Sequence, residues 1–171
     1  MKKCVLLILI LLSACVVVPR RVEIVRWPDR IDALQGEGNL DLRWKAEHLS
    51  GTFALNMRYP DALLFEVYGS PFGQTVVHLQ KDGDKFFLIA GDEKTTNEAL
   101  LAERYGFGVR QLMDGLAMKG DRQDSPVGVT IQHEDYCVVY GQDRRGRRTV
   151  CWERADARLC LAFTDASFEE P

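Results

Sequence analysis

From Leu40 onward, apolar and polar residues alternate along much of this chain with a period of two. Leu40, Leu42, Trp44 and Ala46 interleave with Asp41, Arg43 and Lys45, and Phe53, Leu55, Met57 and Tyr59 with Asn56 and Arg58. Leu63, Phe65 and Val67 face away from Glu66, and Val77 and Leu79 from His78 and Gln80. A period of two puts successive side chains on opposite faces of a strand, so the pattern predicts antiparallel strands with one apolar face. Lys81-Asp82-Gly83-Asp84 is a tight-turn sequence, after which 86–90 returns. The alternation resumes at Val127, Val129 and Ile131. It continues through 136–142 and 147–154 on either side of the turn Asp143-Arg144-Arg145-Gly146, and ends on Leu159, Leu161 and Phe163.

Two stretches break the period. Thr95-Thr96-Asn97-Glu98 has the spacing of a capping box, and 97–105 reads as a helix stopped at Gly106. Val109, Leu112, Met113 and Leu116 follow at helical spacing and predict a second helix, ahead of a polar loop from Gly120 to Pro126. Nearer the start, Trp27-Pro28-Asp29 is expected to open a short helix to Leu34, with Pro28 in its first turn, ended by Gly36-Glu37-Gly38. Residues from Val16 to about Trp27 read as a tether, and Glu169-Glu170-Pro171 as a frayed end. The fold class expected is mainly β (α+β). About nine antiparallel strands would curve into a half-open barrel covered by two or three short helices, with an apolar hollow between sheet and helices.

The first fifteen residues follow another pattern. Lys2 and Lys3 precede an unbroken apolar run from Val5 to Leu12, and then Ser13, Ala14 and Cys15. The run is too short to span a bilayer and has the layout of a removed secretory signal. It is similar to bacterial lipoprotein signals, which implies that Cys15 becomes the mature N-terminus and carries acyl chains; a short anchor with an incidental cysteine is the alternative. Two or three acyl chains hold a protein stably on a membrane. Val16 stands where an Asp commonly retains lipoproteins in the inner membrane, so the outer membrane, facing the periplasm, is the expected location. The domains expected are a signal peptide at 1–14, a lipidated tether with the short helix at 15–35, and one domain at 36–171.

Charge and cysteines narrow the picture. The chain of 171 residues has 22 basic and 25 acidic residues, and a mildly acidic protein has no footprint for nucleic acid. Of five cysteines, Cys4 would leave with the signal and Cys15 take lipid. Cys137, Cys151 and Cys160 remain for an oxidising compartment, either as one disulfide plus a thiol or as three small buried residues. Cys137–Cys151 is the expected pair, because those strands look like hairpin partners.

Motifs for chemistry are sparse. There is no Gly-x-Ser-x-Gly, no His-Glu-x-x-His and no phosphate loop. His48, His78 and His133 are isolated, and His133-Glu134-Asp135 with Cys137 would need a bend to converge on a metal. No enzyme activity, metal or cofactor is expected. Arg144, Arg145, Arg147 and Arg148 form a basic cluster at a hairpin tip, suited to lipid headgroups or an acidic partner, or simply solvated. Ser70-Pro71-Phe72-Gly73 joins two strongly alternating strands. Turn chemistry accounts for Pro71 and Gly73, but not for Phe72, whose exposure forgoes roughly 1.5–3 kcal/mol of burial. Phe72 either folds back on the core or serves as a hydrophobic finger.

The run Leu64-Phe65-Glu66-Val67-Tyr68-Gly69-Ser70-Pro71-Phe72-Gly73-Gln74-Thr75, the Lys81-Asp82-Gly83 turn and the helical insertion with Gly106 and Leu112 resemble the LolB family of outer-membrane lipoprotein receptors. The resemblance covers about Ser50 to Gly120; the last third shares only the strand pattern. The family typically carries Pro-Leu-Gly where this chain has Pro71-Phe72-Gly73, which makes Phe72 the match for its protruding apolar residue. The chain departs from the family at Gly115 and in the strand holding Leu55, where the family often has Trp. The resemblance implies a cavity that accepts acyl chains of lipoprotein cargo from a LolA-like periplasmic carrier, and insertion of that cargo into membrane lipid through Pro71, Phe72 and Gly73. Leu42, Trp44, Phe53, Leu55, Phe65 and Val67 are the expected cavity lining. The other reading is a structural or accessory envelope lipoprotein on the same scaffold.

Overall fold

The computed structural model describes residues 27–69, 74–125 and 128–170. Its strands are β1 (Ala33–Trp44), β2 (Glu47–Arg58), β3 (Ala62–Gly69), β4 (Gln74–Asp82), β5 (Lys85–Ala90), β6 (Glu93–Thr95), β7 (Asp121–Ser125), β8 (Gly128–Gln132), β9 (Cys137–Gln142), β10 (Arg148–Arg154) and β11 (Ala157–Glu169). Helices α1 (Ala99–Tyr105) and α2 (Val109–Leu116) lie between β6 and β7. All eleven strands form one antiparallel sheet in the order β6-β5-β4-β3-β2-β1-β11-β10-β9-β8-β7. The sheet is curved and does not close. The mainly β, half-open architecture read from the alternation is the one observed.

The period-two pattern becomes a buried face. Leu40, Leu42 and Trp44 of β1, Phe53, Leu55 and Met57 of β2, and Leu63, Phe65 and Val67 of β3 all point inward, against α1 and α2. Across the sheet, Phe53 packs edge-on against Phe163 with ring centroids 5.3 Å apart. Trp152, fully buried on β10, lies over α2 and donates its indole N–H to the Gln111 carbonyl at 3.0 Å. A Cβ at position 115 would overlap that indole. Gly115 therefore stands where α2 meets the sheet most closely, and a Trp could not fit there while Trp152 holds the space.

Four expectations are corrected. First, 28–34 is not a helix. Its backbone is taken by neighbours: Ile31 N–H bonds the Ala117 carbonyl at 3.3 Å, Asp32 N–H the Glu169 carbonyl at 2.9 Å, and Tyr59 N–H the Asp32 carbonyl at 2.8 Å. Gly36 and Gly38 end nothing; they lie inside β1 at a register shift against β11. There the Ala162 carbonyl and the Phe163 ring come too close for a side chain. The sheet thus begins at Ala33, inside the stretch assigned to tether and helix.

Second, the polar stretch 121–125 is a strand, and so is 93–95. These are the two edges of the sheet. An edge strand faces solvent and needs no apolar alternation, so the periodicity missed both. Third, α1 has no capping box. Thr95 Oγ1 accepts from Asn97 N–H at 3.0 Å and Asn97 Oδ1 from Ala99 N–H at 3.1 Å, so the helix starts two residues later than expected. It does stop at Gly106, which takes the left-handed conformation at φ 83°. Fourth, the disulfide joins Cys151 to Cys160, not to Cys137. Cys151 and Cys160 are directly opposite on β10 and β11, with Cα atoms 4.1 Å apart. Cys137 stands opposite Glu153, two positions out of step with Cys151.

Antiparallel pairing gives the sheet two distinct ends. Trp44, Glu47, Gly69, Gln74, Ala90 and Ala157 lie at one, and Ala33, Arg58, Ala62, Asp82, Arg148 and Glu169 at the other.

Candidate functional site

Between the inner face of the sheet and the two helices lies a narrow apolar pocket of about 50 Å³. Leu42, Phe65 and Val67 form part of its sheet wall, together with Leu40, Val77, Leu79 and Leu159. Its helical wall is Leu101, Tyr105, Phe107 and Leu112. The wall offers almost no polar surface, so the space favours alkyl chains over water.

Beside this pocket, at the Trp44–Gly69 end, lies a groove of about 440 Å³; the two share Leu42, Leu49, Val77 and Tyr105 as lining. Trp44 forms one side of that groove, and Glu47, His48 and Arg104 form a polar rim. His48 Nε2 is 2.6 Å from Asp41 Oδ2, Arg104 pairs with Glu93, and Lys45 lies 4.6 Å from the Trp44 ring centroid. Burial pushes the Tyr105 hydroxyl up and outweighs the opposing pull of Arg104, so Tyr105, which lines both pocket and groove, stays neutral.

Helix α1 is the least anchored wall. Leu101 is its one buried residue, while Leu100 is 40 % exposed. A second groove of about 290 Å³, between β5, β6 and α1, flanks its other side. Helix α2, by contrast, buries Val109, Leu112, Met113, Gly115 and Leu116, and Gln111 Oε1 accepts from the Gly108 N–H at 2.9 Å at its start.

All six residues expected to line a cavity are buried on one face. Leu42, Phe65 and Val67 line the narrow pocket and Trp44 the groove, but Phe53 and Leu55 lie in the packed core and line neither. Phe53 is occupied by Phe65 and Phe163, at centroid distances of 5.8 and 5.3 Å. Of the residues missed on the sheet side, Leu40, Val77, Leu79 and Leu159 carry the same alternation; those on the helical side carry only helical spacing, which does not say which turn faces a gap. Pro71, Phe72 and Gly73 lie outside the described residues, as does Cys15.

On the outer face, Glu66 accepts from the Tyr68 hydroxyl at 2.8 Å and contacts His78 Nδ1 at 3.0 Å. The Tyr68 hydrogen bond, then that of His78, hold the Glu66 carboxyl below the usual range. His133 stacks on Tyr136 with centroids 4.2 Å apart, and Cys137 is a half-buried thiol pushed up by burial and by Glu153. Among the described residues no three His, Cys, Asp or Glu side chains converge as a metal site would need. No protein-family model matches the chain, and no curated protein is significantly similar to it.

Proposed function

We propose that this chain is a lipid-anchored protein of the outer membrane. On this reading it accepts the acyl chains of lipoproteins in the hollow between sheet and helices and passes them to the membrane. The observation that carries the reading is the apolar pocket that shares four lining residues with a groove at the end of the sheet where 70–73 connects β3 to β4. Moving an alkyl chain between two apolar hosts costs little, because each buried CH₂ is worth about 0.8 kcal/mol in either one. Cargo would come from a periplasmic carrier of the LolA kind, and Phe72 would lead it into lipid. No residue needs to do covalent chemistry.

The pocket, at about 50 Å³, is about a third of the roughly 150 Å³ that holds one benzene in a dry cavity. An acyl chain therefore enters only if α1 moves outward. Its single buried anchor and the grooves on both sides make it the wall that can yield.

The same small volume favours a second reading. An accessory envelope lipoprotein would keep its hollow filled by its own side chains. The deciding experiment loads a fluorescent acylated lipoprotein on a soluble carrier and adds the purified protein with outer-membrane vesicles. Transfer to the protein and then to vesicles is expected, with Phe72→Glu keeping uptake and losing at least ten-fold in delivery. No uptake by the unaltered protein leaves the accessory reading, and full delivery by Phe72→Glu removes the role assigned to that loop.

A further inference from the structure

The end of the sheet opposite the groove has its own chemistry. The β9–β10 turn there carries Arg144, Arg145, Arg147 and Arg148. Asp143 organises it: its carboxylate accepts from the N–H groups of Arg145 at 2.8 Å and Arg147 at 3.0 Å, and from Arg147 Nε at 2.7 Å. Burial pushes the Asp143 carboxyl up, and these hydrogen bonds outweigh it and hold it below its usual range. Arg147 is thereby neutralised. Among the described residues, no ion pair engages Arg144, Arg145 or Arg148. Arg144 and Arg145 are exposed.

Arg148 is held differently. Its guanidinium carbon lies 5.0 Å from the Phe168 ring centroid and 6.0 Å from that of Trp27, and its Nε is buried without a hydrogen-bond partner. Two open grooves meet at it, of about 490 Å³ beside Trp27 and Phe168 and about 330 Å³ beside Arg145 and Thr164. Glu170 borders the first groove and Asp165 the second, while Asp29 is engaged by Arg122 at 3.0 Å. Unspent guanidinium donors next to two aromatic rings suit a surface that offers phosphate oxygens above an apolar layer. The chain from Cys15 joins the fold at Trp27, whose indole N–H bonds the Gly141 carbonyl at 3.4 Å beside this turn.

We propose that this end is the resting membrane-facing surface, where Arg144, Arg145 and Arg148 bind the phosphates of anionic phospholipids beside Trp27 and Phe168. The proposal rests on the lipid-anchored reading but not on acyl transfer. It turns the groove away from the membrane, toward incoming cargo. Fully extended, the twelve peptide units from Cys15 to Trp27 span at most about 40 Å, close to the length of β1, so the anchored domain can turn over to present its other end.

The test uses the full lipidated protein, its acylation at Cys15 checked by mass, on vesicles of phosphatidylcholine alone or mixed with phosphatidylglycerol. Amide exchange across 143–148 should slow several-fold with phosphatidylglycerol and return to its starting rate in high salt. Each arginine neutralised should weaken the effect roughly five-fold. Arg144→Glu with Arg145→Glu should abolish it, and the paired Gln variants should weaken it; near-UV circular dichroism verifies that each variant is folded. Acylated protein whose turn exchanges at one rate on both vesicles overturns the proposal. So does slowing at 44–47 instead, or slowing given equally by inorganic phosphate on phosphatidylcholine vesicles. Protein without acyl chains at Cys15 overturns the anchored reading beneath it.

Discussion

Trp152 and Gly115 show how one residue choice depends on another far along the chain. The indole fills the space that a side chain at 115 would need, so the glycine in α2 and the buried Trp on β10 are two sides of one packing decision. Nothing in the local sequence around 115 announces this, because the partner is on another element. Glu66 is a case of the opposite kind, since Tyr68 is two positions away on the same strand face and a carboxylate–hydroxyl contact there is legible from the alternation. Its carboxyl titrates lower folded than unfolded, so its contribution is present above the unfolded value and is lost as pH falls through the folded one. Replacing Glu66 by Gln should therefore cost about 1 kcal/mol near neutral pH and flatten the loss of stability below about pH 4. Urea titrations across the acid range read this directly; an unchanged slope would mean that the contacts with Tyr68 and His78 contribute nothing.

At the scale of elements, the strands with one buried face were legible and the edges were not. Periodicity reports burial, and β6 and β7 bury almost nothing. The segment 28–34 misled for a related reason. Trp27, Ile31 and Leu34 are buried at spacings of four and three, as on a helix, although the backbone is spoken for by β11, β2 and the end of α2. Helix α1 is the element whose freedom bears on function. With Leu101 as its single buried residue, Leu101→Ala should loosen it locally, raising amide exchange over 99–105 well above that of α2. If α1 is the yielding wall, the same variant should bind a fluorescent fatty acyl probe several-fold more tightly, because less of the binding energy goes into displacing the helix. Faster exchange with unchanged or weaker probe binding would place the entrance elsewhere.

At the scale of the molecule, β11 is the seam. It pairs with β1 on one side and β10 on the other, and so joins the sheet built from the N-terminal strands to that built from the C-terminal ones. The Cys151–Cys160 bond ties β11 to β10, on the C-terminal side of this seam. Closing a loop of about ten residues should stabilise by about 2–3 kcal/mol. Cys160→Ser is therefore expected to lower unfolding stability by that amount, while Cys137→Ser changes it by less than about 1 kcal/mol. Peptide mapping of the oxidised protein should recover 151 joined to 160; recovery of 137 joined to 151 would mean that β9 and β10 pair two residues away from the register of Cys137 with Glu153.

The sequence by itself determined the class of fold, the inward face of each central strand, both helices and the stop at Gly106. Each of these follows from period, turn chemistry or capping, which act over a few residues. It also gives the apolar run from Val5 to Leu12 ahead of Cys15, and an aromatic, Phe72, in the sequence between two alternating stretches. Only the tertiary structure decided which cysteines face one another, because pairing depends on register between strands. It alone decided that 28–34 gives its backbone to neighbours, and that Phe53 and Leu55 are spent on packing while Leu42, Phe65 and Val67 border a gap. Burial can be read from alternation; whether a buried side chain touches a partner or an empty space depends on what the other elements bring to the same place.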